Sequence, residues 1–225
     1  VAIGVNAMAN VTTANHNVAV GANTSNQNQT GSHNVALGSY TLQANTTSYN
    51  TAIGAYALNL TTTGQNNTGL GAYALNQNTT GTRNTAIGYN SLDASTTSND
   101  NTAVGADTLH DCTTGFGNSA VGETALNAVT TGNNNAALGH AAGGAITTGS
   151  NNTCLGLSAG DAITTGSNNV CLGNGSDPAS SNSVNTITLG SGDINTLRCQ
   201  VQTITSLSDA RDKTNIVDIE DGLDL

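Results

Sequence analysis

The chain has 225 residues, a formal net charge of −10 and only 8% charged residues, with four Lys or Arg in total. Aromatic residues make up 3%, and there is one Pro. This composition argues against an ordinary compact enzyme, a charge- and Pro-rich disordered chain and a basic nucleic-acid-binding protein. No apolar run approaches the roughly 20 residues of a membrane helix, so neither nucleic acid binding nor membrane insertion is expected.

A tetrapeptide of the form x-Ala-(Ile/Val/Leu)-Gly recurs over residues 1–190. Ten intervals between its glycines are 17 residues long and one is 16. These glycines are Gly4, Gly21, Gly38, Gly54, Gly71, Gly88, Gly105, Gly122, Gly139, Gly156, Gly173 and Gly190. Most units continue with Leu or Met four residues later, then Thr-Thr-Gly and one to three Asn, as at 133–135.

The residue types of the unit indicate β-structure. Thr, Val and Ile favour strands, whereas Gly and Asn tolerate the positive φ of tight turns. Each unit is therefore predicted to form a strand, a turn, a second short strand and a turn. The fold class is all-β: a parallel β-solenoid or β-roll of about eleven 17-residue repeats.

Side chains alternate between the faces of a strand. In the unit at 85–88, Thr85 and Ile87 face one way and Ala86 and Gly88 the other. We expect the Ile/Val/Leu position and the later Leu to fill the solenoid interior, and the Ala/Gly position to form a flat outer face. Because such a thin coil encloses little core, we expect that face to pack against other copies in a homotrimer. At about 4.8 Å per coil, the rod would be roughly 50 Å long.

The repeats, such as Thr-Thr-Gly-Ser-Asn-Asn-Thr-Cys-Leu-Gly at 147–156, resemble those of phage and environmental viral tail fibres. They are also similar to the left-handed parallel β-roll heads of trimeric autotransporter adhesins, which carry an Ala-(Ile/Val)-Gly core on a shorter unit. The resemblance covers residues 1–190. It implies a trimeric fibre shaft located in a virion tail or outside the cell, with a host-surface glycan or protein receptor as its partner.

The period stops after Gly190. Residues 191–207 carry apolar side chains roughly every third position and are predicted to form a neck where three chains wrap together. These side chains are Ile194, Leu197, Val201, Ile204 and Leu207.

The segment 208–225 begins with the pattern Ser-Asp-x-Arg-x-Lys-x-Asn-Ile. This pattern resembles the opening of the intramolecular chaperone domain of endosialidases and other phage tailspikes, which assists trimer folding and then cuts itself off. The resemblance implies Ser208 as nucleophile and Lys213 as its base, supported by Asp209 and Arg211, with cleavage after Leu207. A Ser hydroxyl needs such a base, and Lys serves when burial lowers its pKa. The family's domain is far longer than 208–225, and the alternative is a polar linker with an acidic tail.

Tyr40, Tyr56 and Tyr73 share the position two residues after the repeat glycine. Their ladder is either a platform for sugar rings or a self-stack that supports the coil, and the self-stack is favoured. Cys154 and Cys171 take the Ala position and are expected to be buried thiols, with a disulfide or interchain bridge as the alternative.

No spacing typical of zinc, nucleotide or catalytic-triad sites occurs, so we expect no metal or cofactor. The four histidines, which are His16, His33, His110 and His140, are interpreted as separate surface residues.

The sequence thus predicts a structural and attachment protein, the shaft of a trimeric tail fibre or tailspike, whose only enzymatic act would be self-cleavage. A bacterial or environmental cell-surface adhesin or extracellular filament built from the same repeat is the alternative. An ice-binding solenoid is a weaker one, because the Thr pairs are adjacent and near turns rather than in a flat Thr-x-Thr array.

Overall fold

A computed structural model describes residues 1–194 and 196 of the chain. This part contains one parallel sheet of twelve strands, in which each strand pairs with the next one along the chain. The strands are β1 (Ala2–Ile3), β2 (Val18–Val20), β3 (Val35–Leu37), β4 (Thr51–Ile53), β5 (Thr68–Leu70), β6 (Thr85–Ile87), β7 (Thr102–Val104), β8 (Ser119–Val121), β9 (Ala136–Leu138), β10 (Thr153–Leu155), β11 (Val170–Leu172) and β12 (Ile187–Leu189). The described residues form no helix, so none among them is long and apolar enough to cross a membrane.

Successive strands pair in the register of the repeat. Thr85, Ala86 and Ile87 of β6, for example, lie opposite the equivalent residues of β7, 17 positions later. Backbone hydrogen bonds between neighbouring coils continue outside the strands, as from Leu75 N–H to the Ser91 carbonyl at 3.0 Å. The prediction of an all-β parallel solenoid with coils of about 17 residues is confirmed.

Each coil contains one strand rather than the predicted two. The segment that follows the repeat glycine is a series of turns, in which the residues two and four positions after the glycine have left-handed backbone angles. In one coil Tyr56 has φ 60° and Leu58 has φ 50°. The prediction of a second strand was wrong because the positive φ angles at every second residue reverse the chain direction. They therefore prevent an extended conformation.

The interior lies on the opposite side of the strands from the one we expected. The middle residue of each strand from β2 to β11, such as Ala86, is buried, whereas the flanking Thr85 and Ile87 face outwards and are partly exposed. Across the interior, the buried Leu75 and Leu92 come from the turns. The expected outer Ala face was therefore wrong: the turns already bring a large Leu into each of these coils, so only a small side chain fits on the strand.

The repeat glycines allow neighbouring coils of one chain to approach closely. A Cβ at Gly88 would overlap the carbonyl oxygen of Gly105 in the next coil, and Gly88 has φ 137°. The same overlap recurs at Gly71 with Gly88. We expected the glycines to permit contact with another copy, but they permit contact between coils.

A ladder of buried Asn runs along the solenoid from Asn17 to Asn169. The Asn84 side-chain oxygen accepts the backbone N–H of Asn101 at 3.0 Å, and its amide donates to the Ser98 carbonyl at 2.8 Å. Each such Asn bonds to the next coil through both its side-chain oxygen and its amide, so the thin interior has few unpaired polar groups. The sequence had suggested only turn formation for the Asn runs.

Candidate interaction surface

The outward side of the sheet, which we call the outer face, consists of two columns of side chains. The Thr/Val column contains the first residues of β2–β12, which are Val18, Val35, Thr51, Thr68, Thr85, Thr102, Ser119, Ala136, Thr153, Val170 and Ile187. The Ile/Leu column contains the third residues, which are Val20, Leu37, Ile53, Leu70, Ile87, Val104, Val121, Leu138, Leu155, Leu172 and Leu189. The second column is aliphatic throughout.

The outer face is uncharged and leaves aliphatic groups in contact with water. No residue of either column is charged, and the exposed fraction is 51% at Leu138 and 44% at Leu155. From strand geometry, the face is about 50 Å long and about 10 Å wide, on the order of 500 Å². This area is comparable with the largest apolar patch of a typical soluble monomer, roughly 300–600 Å², and such patches often mark a binding surface. Burial against another molecule would therefore stabilise this face substantially.

A shallow depression of about 300 Å³ lies between the two columns across β8, β9 and β10. Its lining is almost entirely apolar, and Ala136 and Leu138 both contribute to it. Ala136 is the smallest residue of the Thr/Val column, so that column is lowest there. Below it, Ala137 is the most exposed of the core alanines, at 6%.

The Tyr ladder is a stack of rings that cover each other's faces. The ring centroids of Tyr40 and Tyr56 are 5.1 Å apart at an interplanar angle of 5°, and those of Tyr56 and Tyr73 are 5.2 Å apart at 1°. Tyr89 meets Tyr73 edge-on at 6.1 Å. Because sugars stack on ring faces, which here lie against one another, the geometry favours a supporting role for this ladder.

A second stack, which sequence reasoning missed, joins His16, His33 and Tyr49. The ring centroids of His16 and His33 are 4.9 Å apart, and those of His33 and Tyr49 are 5.2 Å apart. The interpretation of the histidines as separate residues was therefore wrong for His16 and His33. Their 17-residue separation, which equals the repeat, was the signal that would have revealed the shared position.

In two later coils, the repeat position that His16, His33 and Tyr49 occupy holds an ion pair. Arg83 donates two hydrogen bonds to the carboxylate of Asp100, at 2.6 and 2.8 Å. These bonds lower the pKa of Asp100 below its ordinary value. Both side chains are well exposed, so the pair contributes little to stability.

The cysteines within the described residues are buried free thiols. Cys154 and Cys171 are register partners on β10 and β11, as the sequence predicted for the Ala position. The hydrogen bond with the Cys171 thiol, together with burial, raises the pKa of Cys154. Burial also raises the pKa of Cys112, to about 12. Thiols held protonated in this way are poor nucleophiles and metal ligands at neutral pH.

In the described part of the chain, one group of ionisable side chains lies around His110. His110 Nδ1 lies 2.7 Å from an oxygen of Asp111, and His110 Nε2 lies 4.0 Å from Asp93. No three His, Cys, Asp or Glu side chains among the residues described are arranged to hold a metal ion.

The predicted catalytic residues lie outside the described residues. These are Ser208 and Lys213, with Asp209 and Arg211 as supporting residues. The predicted neck at 191–207 is described only at 191–194 and 196, and Cys199 is likewise outside.

Neither a protein-family model, nor a curated protein, nor a solved structure matches the chain. A functional proposal therefore rests on the solenoid, its outer face and the sequence patterns.

Proposed function

We propose that the chain is the shaft of a homotrimeric extracellular fibre, a viral tail fibre or tailspike that attaches to a host surface. The observation that carries this proposal is the outer face, which is uncharged and partly aliphatic over eleven consecutive strands. Three such faces meeting around the fibre axis would remove the aliphatic side chains from water. The shaft would hold a receptor-binding surface for a host glycan or protein.

The geometry of the outer face favours another copy of the chain as its partner. A partner must present apolar side chains about every 4.8 Å over about 50 Å. A second copy of the chain has this spacing because it carries the same strands at the same separation. With on the order of 500 Å² from each of three copies, the assembly would bury on the order of 1,500 Å² in total, or on the order of 500 Å² for each pair of copies.

The coil-to-coil bonding supports a mechanical role. Each coil is bonded to its neighbours through the sheet, through the turns and through the buried Asn ladder. Glycines at the repeat position bring these coils together without side chains between them. A rod bonded in this way is expected to resist bending and proteolysis, as a fibre shaft requires.

The decisive experiment is the mass of the full chain by light scattering. We expect a trimer for the unmodified chain. Leu138→Glu combined with Leu155→Glu should give a monomer with an unchanged β-type circular dichroism spectrum, because two buried charges per chain would face the interface. Leu60→Glu is the matched control, since Leu60 is exposed but lies in a turn rather than on the outer face.

A stable monomer of the unmodified chain would overturn the fibre proposal. If that monomer also showed thermal hysteresis, the outer face would act on ice instead. β4–β7 place Thr beside Ile, Leu or Val rather than Thr-x-Thr, and turn hydroxyls such as that of Thr79 already donate to the next coil, at 2.9 Å. A membrane-anchor domain in the native gene product would favour a cell-surface adhesin or filament over a virion protein.

The self-cleavage proposal rests on the sequence pattern at 208–216 alone. In the native protein we expect the mature chain to end at Leu207. Ser208→Ala should leave the chain uncut because it removes the nucleophile, whereas Ser206→Ala should be cut normally. Intact-mass measurement distinguishes these products. A mature mass that includes residues 208–225 would contradict the proposal.

A further inference from the structure

The depression at β8–β10 interrupts the outer face at its smallest side chain, Ala136. We propose that copies of the chain pack in parallel and in the same coil register, with Leu138 of one copy seated in the depression beside Ala136 of the next copy. The inference rests on the proposed fibre assembly and specifies its contact.

Symmetry determines which columns meet. A rotation about an axis parallel to the solenoid leaves every coil at its own height. It also brings the Thr/Val column of one copy beside the Ile/Leu column of the next. An antiparallel pair would instead place like columns together and set the first coils against the last. Only the parallel arrangement brings residue 136 of one copy beside residue 138 of the next.

The side chains match in size in the parallel arrangement. At β9 the small Ala136 would meet the large Leu138 of the neighbouring copy, whereas at β11 Val170 would meet Leu172. Leu138 is half exposed and the depression offers it almost no polar atoms, so an aliphatic side chain is the occupant that this lining fits. Partners with charged or polar groups at this height would leave those groups unpaired.

Disulfide trapping tests the register. The full chain with Cys199→Ser, Ala136→Cys and Leu138→Cys is oxidised and run on a non-reducing denaturing gel. We expect most of the protein to become a covalent trimer, because the two thiols of neighbouring copies are adjacent. The mismatched control replaces Leu138→Cys with Leu172→Cys, two coils away, and should give single chains because a disulfide does not span that separation.

The outcomes separate this inference from the fibre proposal. A trimer by light scattering that is not trapped, or that is trapped in the mismatched variant, would overturn the register but not the fibre. A monomer by light scattering would overturn both. Covalent dimers alone would keep the register and contradict the trimer.

A second variant avoids any dependence on engineered thiols. Ala136→Phe fills the depression and should abolish the trimer peak at concentrations where the unmodified chain is trimeric. Ala55→Phe is the control: it adds the same ring at an exposed turn position where other coils carry Tyr89 and Leu157. Retention of the trimer by Ala136→Phe would contradict the proposed seat for Leu138.

Discussion

The coils that follow β3–β8 and those that follow β9 and β10 fill the same interior in different ways. The first group has Leu four residues after the repeat glycine, at Leu42, Leu58, Leu75, Leu92, Leu109 and Leu126. The second group has Gly143 and Gly160 there, and instead carries Ile146 and Ile163 seven residues after the repeat glycine. All these Leu and Ile side chains are fully buried. The comparison teaches that a coil needs a large aliphatic group but not at a fixed position.

Contacts around the two exceptional glycines explain the exchange. A Cβ at Gly143 would lie 2.7 Å from a methyl carbon of Leu126 and 3.0 Å from one of Ile146. A Cβ at Gly160 would overlap the sulfur of Cys154. The space of the missing Leu is thus taken by Ile and by a Cys that replaces Ala on the strand, which keeps the core volume nearly constant.

The largest effect is expected from deleting the aliphatic group of a Leu-type coil. Leu75→Ala should lower the free energy of unfolding by about 2–5 kcal/mol, since Asn78, at the position where other coils carry Ile146 and Ile163, cannot replace the lost contacts. Leu60→Ala, at an exposed position, should change it by less than about 0.5 kcal/mol. Denaturant titration with hydrogen exchange resolves the affected coils, because solenoids lose structure locally. Equal effects of both changes would contradict the assigned interior.

The next effect tests whether the two types of coil are interchangeable. Gly160→Leu should lower the free energy of unfolding by about 1–3 kcal/mol, because the new side chain collides with Cys154 and Ile163. Backbone strain is not the cause, since Leu75 already adopts φ 53° at the equivalent position. Adding Cys154→Ala and Ile163→Asn converts the coil to the Leu type and should recover most of the lost free energy of unfolding. A triple variant less stable than the single one would refute the exchange.

The sequence predicted the period, the parallel stacking and the absence of helix, because a 17-residue spacing of Gly leaves few other arrangements. It predicted the wrong face of the strands as the buried one. Ala86 and Ile87 are both apolar, and alternation alone cannot distinguish their faces. Leu75 and Leu92 determine which face is buried, because they fill the interior from turns in which they have positive φ. The sequence pattern does not show that a Leu adopts positive φ.

The candidate site was missed for the same physical reason. Ile87 and Leu138 were assigned to the core because large aliphatic side chains are usually buried. Here the turns of a coil already supply the large aliphatic group of the interior, and the large side chain of the strand is left on the outer face. A shared position in the repeat predicted the Tyr40–Tyr73 ladder from the sequence. His16 and His33 share a repeat position in the same way, so their stack was also predictable.

The smallest effect concerns Cys112, which lies seven residues after its repeat glycine, where the next coil has Val129. Burial raises the pKa of Cys112 from 9.0 to about 12. The resulting stabilisation is therefore fully present below pH 9. Above pH 9 the thiol of the unfolded chain ionises while the folded one keeps its proton, so the contribution of Cys112 to the free energy of unfolding falls by about 1.4 kcal/mol per pH unit up to pH 12.

Cys112→Val should remove this pH-dependent contribution and leave a shallower decline of the unfolding free energy between pH 9 and 11. Below pH 8 the unfolding free energies of the two proteins should differ by a constant amount. Curves that stay parallel up to pH 11 would show that the Cys112 thiol ionises equally in both states, and would contradict its place in the closed core.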